Sequence, residues 1–321
     1  MGPGRAHAAL QETWHLQKMK ALLIMNPGSR SGRGKKSWAS IESRLREAGA
    51  DLRCAHTGGP DDACKLARAA ADRDTIVAVG GDGTINGVLD GLLQSRRTDI
   101  RMGVIYTGTS PDFCRFNNIP TKPEAAMRTL LAGHSSPRDA ARINYRDSSG
   151  NIVTAHFACS CNIGLGAAVA RRANSTRRYL GDACGTGLAV LRALAAKEPA
   201  DLELELDGEK LTLPAADNLT VAKNPYIASG LKLKLDLAPA DGRLWALGVH
   251  NKSRAGLLAL VPGFYSGEVV SAPGVFLRGC HRLKVRASVP REVEFDGDPR
   301  GFLPAEIELL PKAFELISDP L

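Results

Sequence analysis

The run Gly80-Gly81-Asp82-Gly83-Thr84 ends an apolar stretch at 75–79 and opens a segment with helical periodicity at Ile85, Val88, Leu89 and Leu92. Glycines at such a junction let backbone N–H groups approach phosphate oxygens, and the helix behind them adds the positive end of its dipole. A tight turn by itself requires neither a second glycine nor a carboxylate at Asp82, so this spacing points to a phosphate site. Three other apolar stretches also end in small or polar residues. Asn26-Pro27-Gly28-Ser29-Arg30-Ser31-Gly32-Arg33-Gly34-Lys35 follows the first, Thr57-Gly58-Gly59 the second and Thr107-Gly108-Thr109-Ser110-Pro111-Asp112 the fourth. The first loop misses the P-loop pattern GxxxxGK[ST], with Ser29 in place of its leading glycine and Lys36 in place of its Ser or Thr. Taken singly, such turns need glycine for steric reasons, and Thr57 and Thr109 are as readily helix caps as hydroxyl donors to a nucleotide. Together the four loops describe one anion site.

The elements that must hold these loops follow from periodicity. Residues 21–25, 51–55, 75–79 and 102–106 read as strands. They are separated by helices at 38–45 (Trp38, Ile41 and Leu45 on one face, Gly49 as the stop), at 61–71, after the glycine turn, and from Pro123 onward. Apolar strands alternating with helices imply a mostly parallel sheet covered on both faces, with ligands beyond the carboxyl ends of its strands. Past Ile143 the texture changes to polar and apolar alternation. Residues 202–206 and 210–213 read as a hairpin turning at Asp207-Gly208, and further strands are expected at 219–222, 231–237, 244–249, 283–289, 292–295 and 307–310. A helix is expected at 188–197, extending back as far as 167. The predicted architecture is an α/β nucleotide-binding domain over 20–140, onto which the last fifteen or so residues pack back. A mainly antiparallel sandwich or open barrel follows over 141–305.

The string Val79-Gly80-Gly81-Asp82-Gly83-Thr84-Ile85-Asn86, with Asn26-Pro27 before it and Thr107-Gly108-Thr109 and Asp112-Phe113 after it, resembles the diacylglycerol kinase catalytic family. That family includes bacterial lipid kinases, sphingosine kinases and ceramide kinases. NAD kinases and 6-phosphofructokinases share the glycine motif more distantly. The similarity continues through Asn224, Gly230-Leu231-Lys232-Leu233, Asp241-Gly242-Arg243-Leu244, Phe295-Asp296-Gly297-Asp298 and Pro311-Lys312-Ala313-Phe314. The resemblance implies an ATP- and Mg²⁺-dependent kinase acting on a lipid hydroxyl, with Asn26, Ser31, Gly32, Thr57, Gly80, Gly81, Asp82, Gly83, Thr84, Asn86 and Thr109 around the nucleotide. It also implies a structural Mg²⁺ held by Asp236 with the carbonyls of Leu233 and Ala238. Asp298 would accept the hydroxyl proton, with Asp296 and Asp82 as orienting or metal-network carboxylates. From spacing alone, Asp296-Gly297 reads as a hairpin turn, and Asp82 equally as a helix cap. Three departures stand out: Gly87 where the family usually has Glu, Pro111 where it has Asn, and Asp298, one methylene shorter than the usual Glu.

The 321 residues carry a formal charge of +8, with 44% hydrophobic and 24% charged residues, which suits two globular domains and anionic partners. The basic residues are dispersed without an aromatic platform, which argues against nucleic acid. Seven cysteines, none spaced CxxC, give neither a disulfide framework nor a zinc site and fit a reducing cytoplasm. Neither a secretory signal nor a spanning segment is expected, so contact with lipid would be peripheral, at the inner face of the membrane. The apolar segment 257–265, flanked by Lys252 and Arg254, is the candidate contact, though such a run is commonly a core helix. A homodimer is compatible with the sequence. Two other readings stand beside the lipid kinase: a kinase of a soluble hydroxyl such as the ribose of NAD, and a non-catalytic nucleotide or lipid sensor.

Overall fold

The computed structural model describes residues 19–28, 35–59, 61–180, 182–228 and 231–320. Strands β1 (Lys20–Met25), β2 (Asp51–His56), β3 (Thr75–Gly80) and β4 (Arg101–Tyr106) lie in the order β2-β1-β3-β4, and every neighbouring pair is parallel. Strands β1, β3 and β4 are largely apolar because helices cover both faces, while the edge strand β2 keeps Asp51, Arg53 and His56 exposed. On one face Leu22, Ile24, Ile76, Ala78 and Val104 pack against α2 (Asp62–Arg68), α3 (Asp82–Ser95) and α4 (Asp112–Phe116). On the other, Leu23, Met25, Val77, Val79 and Ile105 meet α1 (Lys35–Glu47) and α5 (Pro123–Ala132), through Trp38, Ile41, Leu45, Met127 and Leu130. Each such aliphatic side chain contributes about 1.5–3 kcal/mol by leaving water. Helices α2 and α3 touch so closely that a Cβ on Gly87 would lie 2.8 Å from the Ala63 Cβ, and one on Gly91 2.2 Å from the Cys64 carbonyl oxygen.

The second half begins with β5 (Ser135–Arg146), β6 (Ile152–Phe157), β7 (Ser160–Gly164), the helices α6 (Leu165–Leu180) and α7 (Asp182–Ala195), β8 (Ala200–Leu206) and β9 (Glu209–Ala222). It continues through β10 (Tyr226–Ala228), β11 (Leu231–Lys232), β12 (Leu244–His250), α8 (Arg254–Ser266), β13 (Val275–Cys280), β14 (Arg282–Ala287), β15 (Glu292–Phe295) and β16 (Asp298–Ile317). Antiparallel pairing runs β9-β7-β15-β16-β14-β8 and returns to β9, so the barrel is closed rather than open. The closing step is β14, which pairs with both β16 and β8 and leaves no exposed edge between them. Leu204, Leu206, Val221, Leu283, Val285, Val293, Phe295 and Ile307 fill its interior.

Strand β16 is 20 residues long and joins the two halves. It begins in the barrel, pairs with β5 for much of its length, and ends with Glu315 and Leu316 in parallel register with Arg101 and Met102 of β4. Because β5 runs unbroken from Ser135 to Arg146, the change of texture near residue 140 falls inside a strand and not in a linker. Several expected elements differ: 210–213 and 219–222 are parts of one strand, β9. Of 231–237 only Leu231–Lys232 is strand; the alternation of Leu and Lys beyond it puts Leu233 into the core beneath α8 without a pairing partner strand. The helix expected over 167–197 is two helices, α6 and α7, on either side of residue 181. Strands β5, β6, β7, β10 and β13 are additional to those expected.

Candidate active site

Glycine is sterically required at the turn between β3 and α3. A Cβ on Gly80 would lie 2.3 Å from Thr84 Oγ1, and one on Gly81 3.2 Å from the Gly108 Cα, so the loops after β3 and β4 meet backbone to backbone. Gly81 caps α3 in an extended conformation, and its carbonyl accepts the N–H groups of Thr84 and Ile85, both at 3.0 Å. Thr84 is buried and its hydroxyl accepts from Asn26 Nδ2 at 3.1 Å, which ties the loop after β1 to the same turn. Asn26 Oδ1 in turn accepts the Gly28 N–H. Thr109 is exposed and Thr57 half-buried at the rim, but the Gly58 and Gly59 N–H groups are already bound to Asp62 Oδ2 at 2.8 and 2.9 Å. Ser31 and Gly32 lie outside the described residues.

The second half of the chain delivers carboxylates to this turn. Asp296 and Gly297, with φ of 49° and 92°, form the two-residue turn between β15 and β16, so the hairpin suggested by spacing exists. It also places Asp298 over the glycine turn: a Cβ on Gly83 would lie 3.1 Å from Asp298 Oδ2. The Asp296 carboxylate accepts the N–H groups of Ala158, Cys159 and Ser160 at 3.1–3.2 Å. With its amide nitrogen facing its acceptors, Asn86 donates to Asp296 Oδ2 (2.7 Å) and to the His156 carbonyl (3.0 Å). Asn86 therefore joins the two halves of the site from a buried position, as does the pair His156–Asp90 at 2.8 Å.

Several residues outside the expected set belong here. Glu294 is buried, accepting from Asn162 Nδ2 at 2.7 Å and from the Gly297 N–H at 2.5 Å. Arg300 reaches Asp298 Oδ2 at 3.3 Å and lies over the Phe295 ring, 5.2 Å from its centroid. Asn224 Nδ2 donates to the Asp112 carbonyl at 3.1 Å, and the Tyr106 hydroxyl faces Asp82 Oδ2 at 3.4 Å. The flanking sequence hints at Asn224 and Asp112 through the motifs they sit in; Glu294 and Arg300 carry no spacing signal, since each acts through a neighbour on the same hairpin.

Clustering and burial make these carboxyls weak acids. Burial, with the Asp112 and Asp296 carboxylates adding to it, raises Asp82 to about 7, and its Oδ1 is buried without a hydrogen-bond partner. Burial pushes Glu294 to about 8 against the pull of Asn162 and Gly297, and Asp296 to about 6 against its three N–H donors. Asp298 is also raised by burial, with Arg300 opposing. Such a group of poised carboxyls beside a glycine turn can hold or move a proton next to a bound phosphate.

The residues expected to hold a structural Mg²⁺ do not fit one. The Ala238 carbonyl already accepts Lys223 Nζ at 3.2 Å and the Asp241 N–H at 3.3 Å, which uses both its lone pairs. The Leu233 carbonyl accepts the Leu235 N–H at 2.9 Å, and Asp236 is exposed. Among the described residues no three His, Cys, Asp or Glu side chains converge as a ligand set.

The chain is similar to known proteins along most of its length. The diacylglycerol kinase catalytic domain model matches residues 20–143, and the YegS C-terminal NAD kinase beta sandwich-like domain model matches residues 159–318. A diacylglycerol kinase of Mycobacterium tuberculosis (strain ATCC 25618 / H37Rv) is 28% identical over 307 residues, covering 93% of this chain and 94% of the relative. One of Bacillus subtilis (strain 168) is 28% identical over 292 residues, covering 89% and 92%. Among solved structures, a diacylglycerol kinase from Bacillus anthracis str. Sterne has the same fold, with a TM-score of 0.67 at 22% identity, covering 94% of this chain and 97% of that one. Yeast NADH kinase complexed with NADH is a more distant likeness, with a TM-score of 0.56 at 12% identity, covering 95% and 85%. Two domain descriptions in series and relatives aligned along nearly the whole length place the chain in the diacylglycerol kinase catalytic-domain family, a family of kinases.

Proposed function

We propose that this chain transfers the terminal phosphoryl group of ATP, bound with Mg²⁺, to the hydroxyl of a lipid such as diacylglycerol. The observation that carries this reading is the position of Asp298, brought from the barrel to the Gly83 turn. Phosphoryl transfer asks a protein mainly to align donor and acceptor and to stabilise charge on the equatorial oxygens. Gly80, Gly81 and Gly83 offer close backbone approach and a helix N-terminus to the phosphates. Asn26 and Thr84 fix that turn, while Thr57 and Thr109 edge the cleft. As the acceptor oxygen attacks phosphorus and ADP leaves, Asp298 takes the hydroxyl proton. Burial raises its affinity for protons, which favours it as the acceptor, and Arg300 orients it. Asp296 acts as the orienting carboxylate, locked by three N–H donors, and Asp82 places negative charge where the metal of MgATP would neutralise it.

Among the described residues no helix is long and apolar enough to cross a membrane. In α8, Leu257 and Leu260 are buried while Leu258 and Tyr265 are exposed, at 46% and 58%. That split supports a core helix with an apolar outer edge, which we assign to peripheral contact with the inner face of the membrane, from the cytoplasm.

The test is incubation with radiolabelled ATP, Mg²⁺ and mixed micelles of a total lipid extract, followed by mass identification of the product. Label in a lipid phosphate is expected. Normal ATP binding with no labelled lipid would sink the lipid reading. The likeness to yeast NADH kinase favours one alternative, phosphorylation of a dinucleotide ribose in detergent-free solution. Inactivity toward every acceptor would favour a nucleotide or lipid sensor.

A further inference from the structure

Lys223, at the end of β9, is 1% exposed, and its ammonium is enclosed by acceptors from separate segments. Nζ lies 2.5 Å from Asp241 Oδ1, 3.2 Å from Asp139 Oδ2 on β5, and 3.2 Å from the Ala238 carbonyl. Asp139 is itself buried and draws further segments in. Its carboxylate accepts the N–H groups of Gly242 and of Lys312 on β16, each at 2.8 Å, and its own N–H donates to the Pro239 carbonyl at 3.0 Å. One cation thus ties the end of β9, β5, the loop before β12 and β16 into a single joint.

The joint is one residue from the site. The N–H groups of Lys223 and Asn224 both donate to the Cys159 carbonyl, at 2.9 and 3.2 Å, while the Cys159 N–H donates to Asp296. Asn224 also holds the Asp112 carbonyl in the loop after β4. Whatever fixes Lys223 therefore fixes the register between the barrel carboxylates and the nucleotide loops.

The Ala238 carbonyl belongs both to this cage and to the metal site that the family resemblance implies. A divalent ion on that oxygen would sit within roughly 5 Å of the ammonium, charge against charge, with the oxygen's lone pairs already committed. We propose that Lys223 is the resident cation of this joint and takes the place of a structural Mg²⁺, so that the folded, nucleotide-free protein needs no bound metal. The proposal rests on the cage alone and is independent of which acceptor is phosphorylated.

Two measurements test it. The nucleotide-free wild-type protein, desalted from a Mg²⁺ buffer, is analysed for metal content, and its Tm is compared in Mg²⁺ and in excess EDTA. No retained metal and an unchanged Tm are expected. One ion retained per chain, together with a Tm that EDTA lowers, would overturn the proposal. Lys223→Met should lower Tm by several degrees by stranding two carboxylates, and adding Asp139→Asn should recover part of that loss, which a purely packing role would not allow. A Lys223→Met protein as stable as wild type would also overturn it; if that variant does not fold, the metal measurement on the wild type still decides.

Discussion

Asp82→Asn should make the nucleotide-free protein more stable at pH 8 while leaving its stability near pH 4 almost unchanged. In the folded chain Asp82 has one carboxylate oxygen with no hydrogen-bond partner, a 3.4 Å contact from Tyr106 on the other, and Asp112 and Asp296 nearby. Its carboxyl is held at about 7 against 3.8 in an unconstrained chain. The native state therefore binds the proton more tightly than the unfolded state, and stability falls as pH rises from roughly 4 to 7, levelling off above that. Three pH units at ~1.4 kcal/mol each give a ceiling of ~4 kcal/mol. Loss of the favourable interaction of the charged group with the N-terminus of α3 returns ~0.3–1 kcal/mol of that, so a gain of about 3 kcal/mol is expected for the substitution above pH 7. Urea denaturation followed by circular dichroism at pH 4.5 and 8, without nucleotide or Mg²⁺, measures it. Equal effects at both pH values, or a destabilised variant at pH 8, would refute the reasoning. The same variant should lose phosphoryl transfer, because that costly charge is what MgATP would neutralise.

Asp298→Asn should lower kcat by ~10²–10⁴ with ATP affinity unchanged, as measured by single-turnover transfer and calorimetric nucleotide titration; full turnover would remove Asp298 from its role as base. Removing Arg300 as Arg300→Met takes away the group that opposes the upward shift of Asp298, so the basic form should appear at higher pH and the acid limb of kcat/KM should move up; an unmoved limb would leave Arg300 without a part in tuning the base. Gly87→Ala tests the contact between α2 and α3. On an open helix face the change would stabilise by ~1 kcal/mol, but here its Cβ would lie 2.8 Å from that of Ala63, so a net loss of ~1–2 kcal/mol is expected in chemical denaturation.

The α/β half is legible in the sequence because its information is local. An apolar strand, a glycine turn and an amphipathic helix follow one another, and 75–79 with Gly80 to Thr84 shows all of them within a few residues. The glycine at 87 also explains itself once α2 is in place, since a longer side chain has no room there. What local pattern cannot give is the meeting of Gly83 with Asp298, which depends on barrel closure and on β16. Asp296-Gly297 reads as a hairpin turn from spacing, and it is one; only the family resemblance suggested that the turn also presents a carboxylate. The alternation at 231–237 misleads because Leu233 is buried against a helix and not against a neighbouring strand. Lys223 is silent in the sequence for a similar reason, since its partners Asp139 and Asp241 come from distant segments.

The path of β16 also sets the order in which the molecule can be made. During synthesis the parallel strands and their helices emerge before the barrel, yet β4 waits for Glu315 and Leu316, joined only after the other barrel strands, to lie alongside it. Until then β4, paired with β3 on one side, has an open outer edge, a template for association with other chains. The parallel sheet is thus begun before the barrel but completed after it, and ribosome-stalled chains ending before β16 should be sticky intermediates even though β1 to β4 have already been translated.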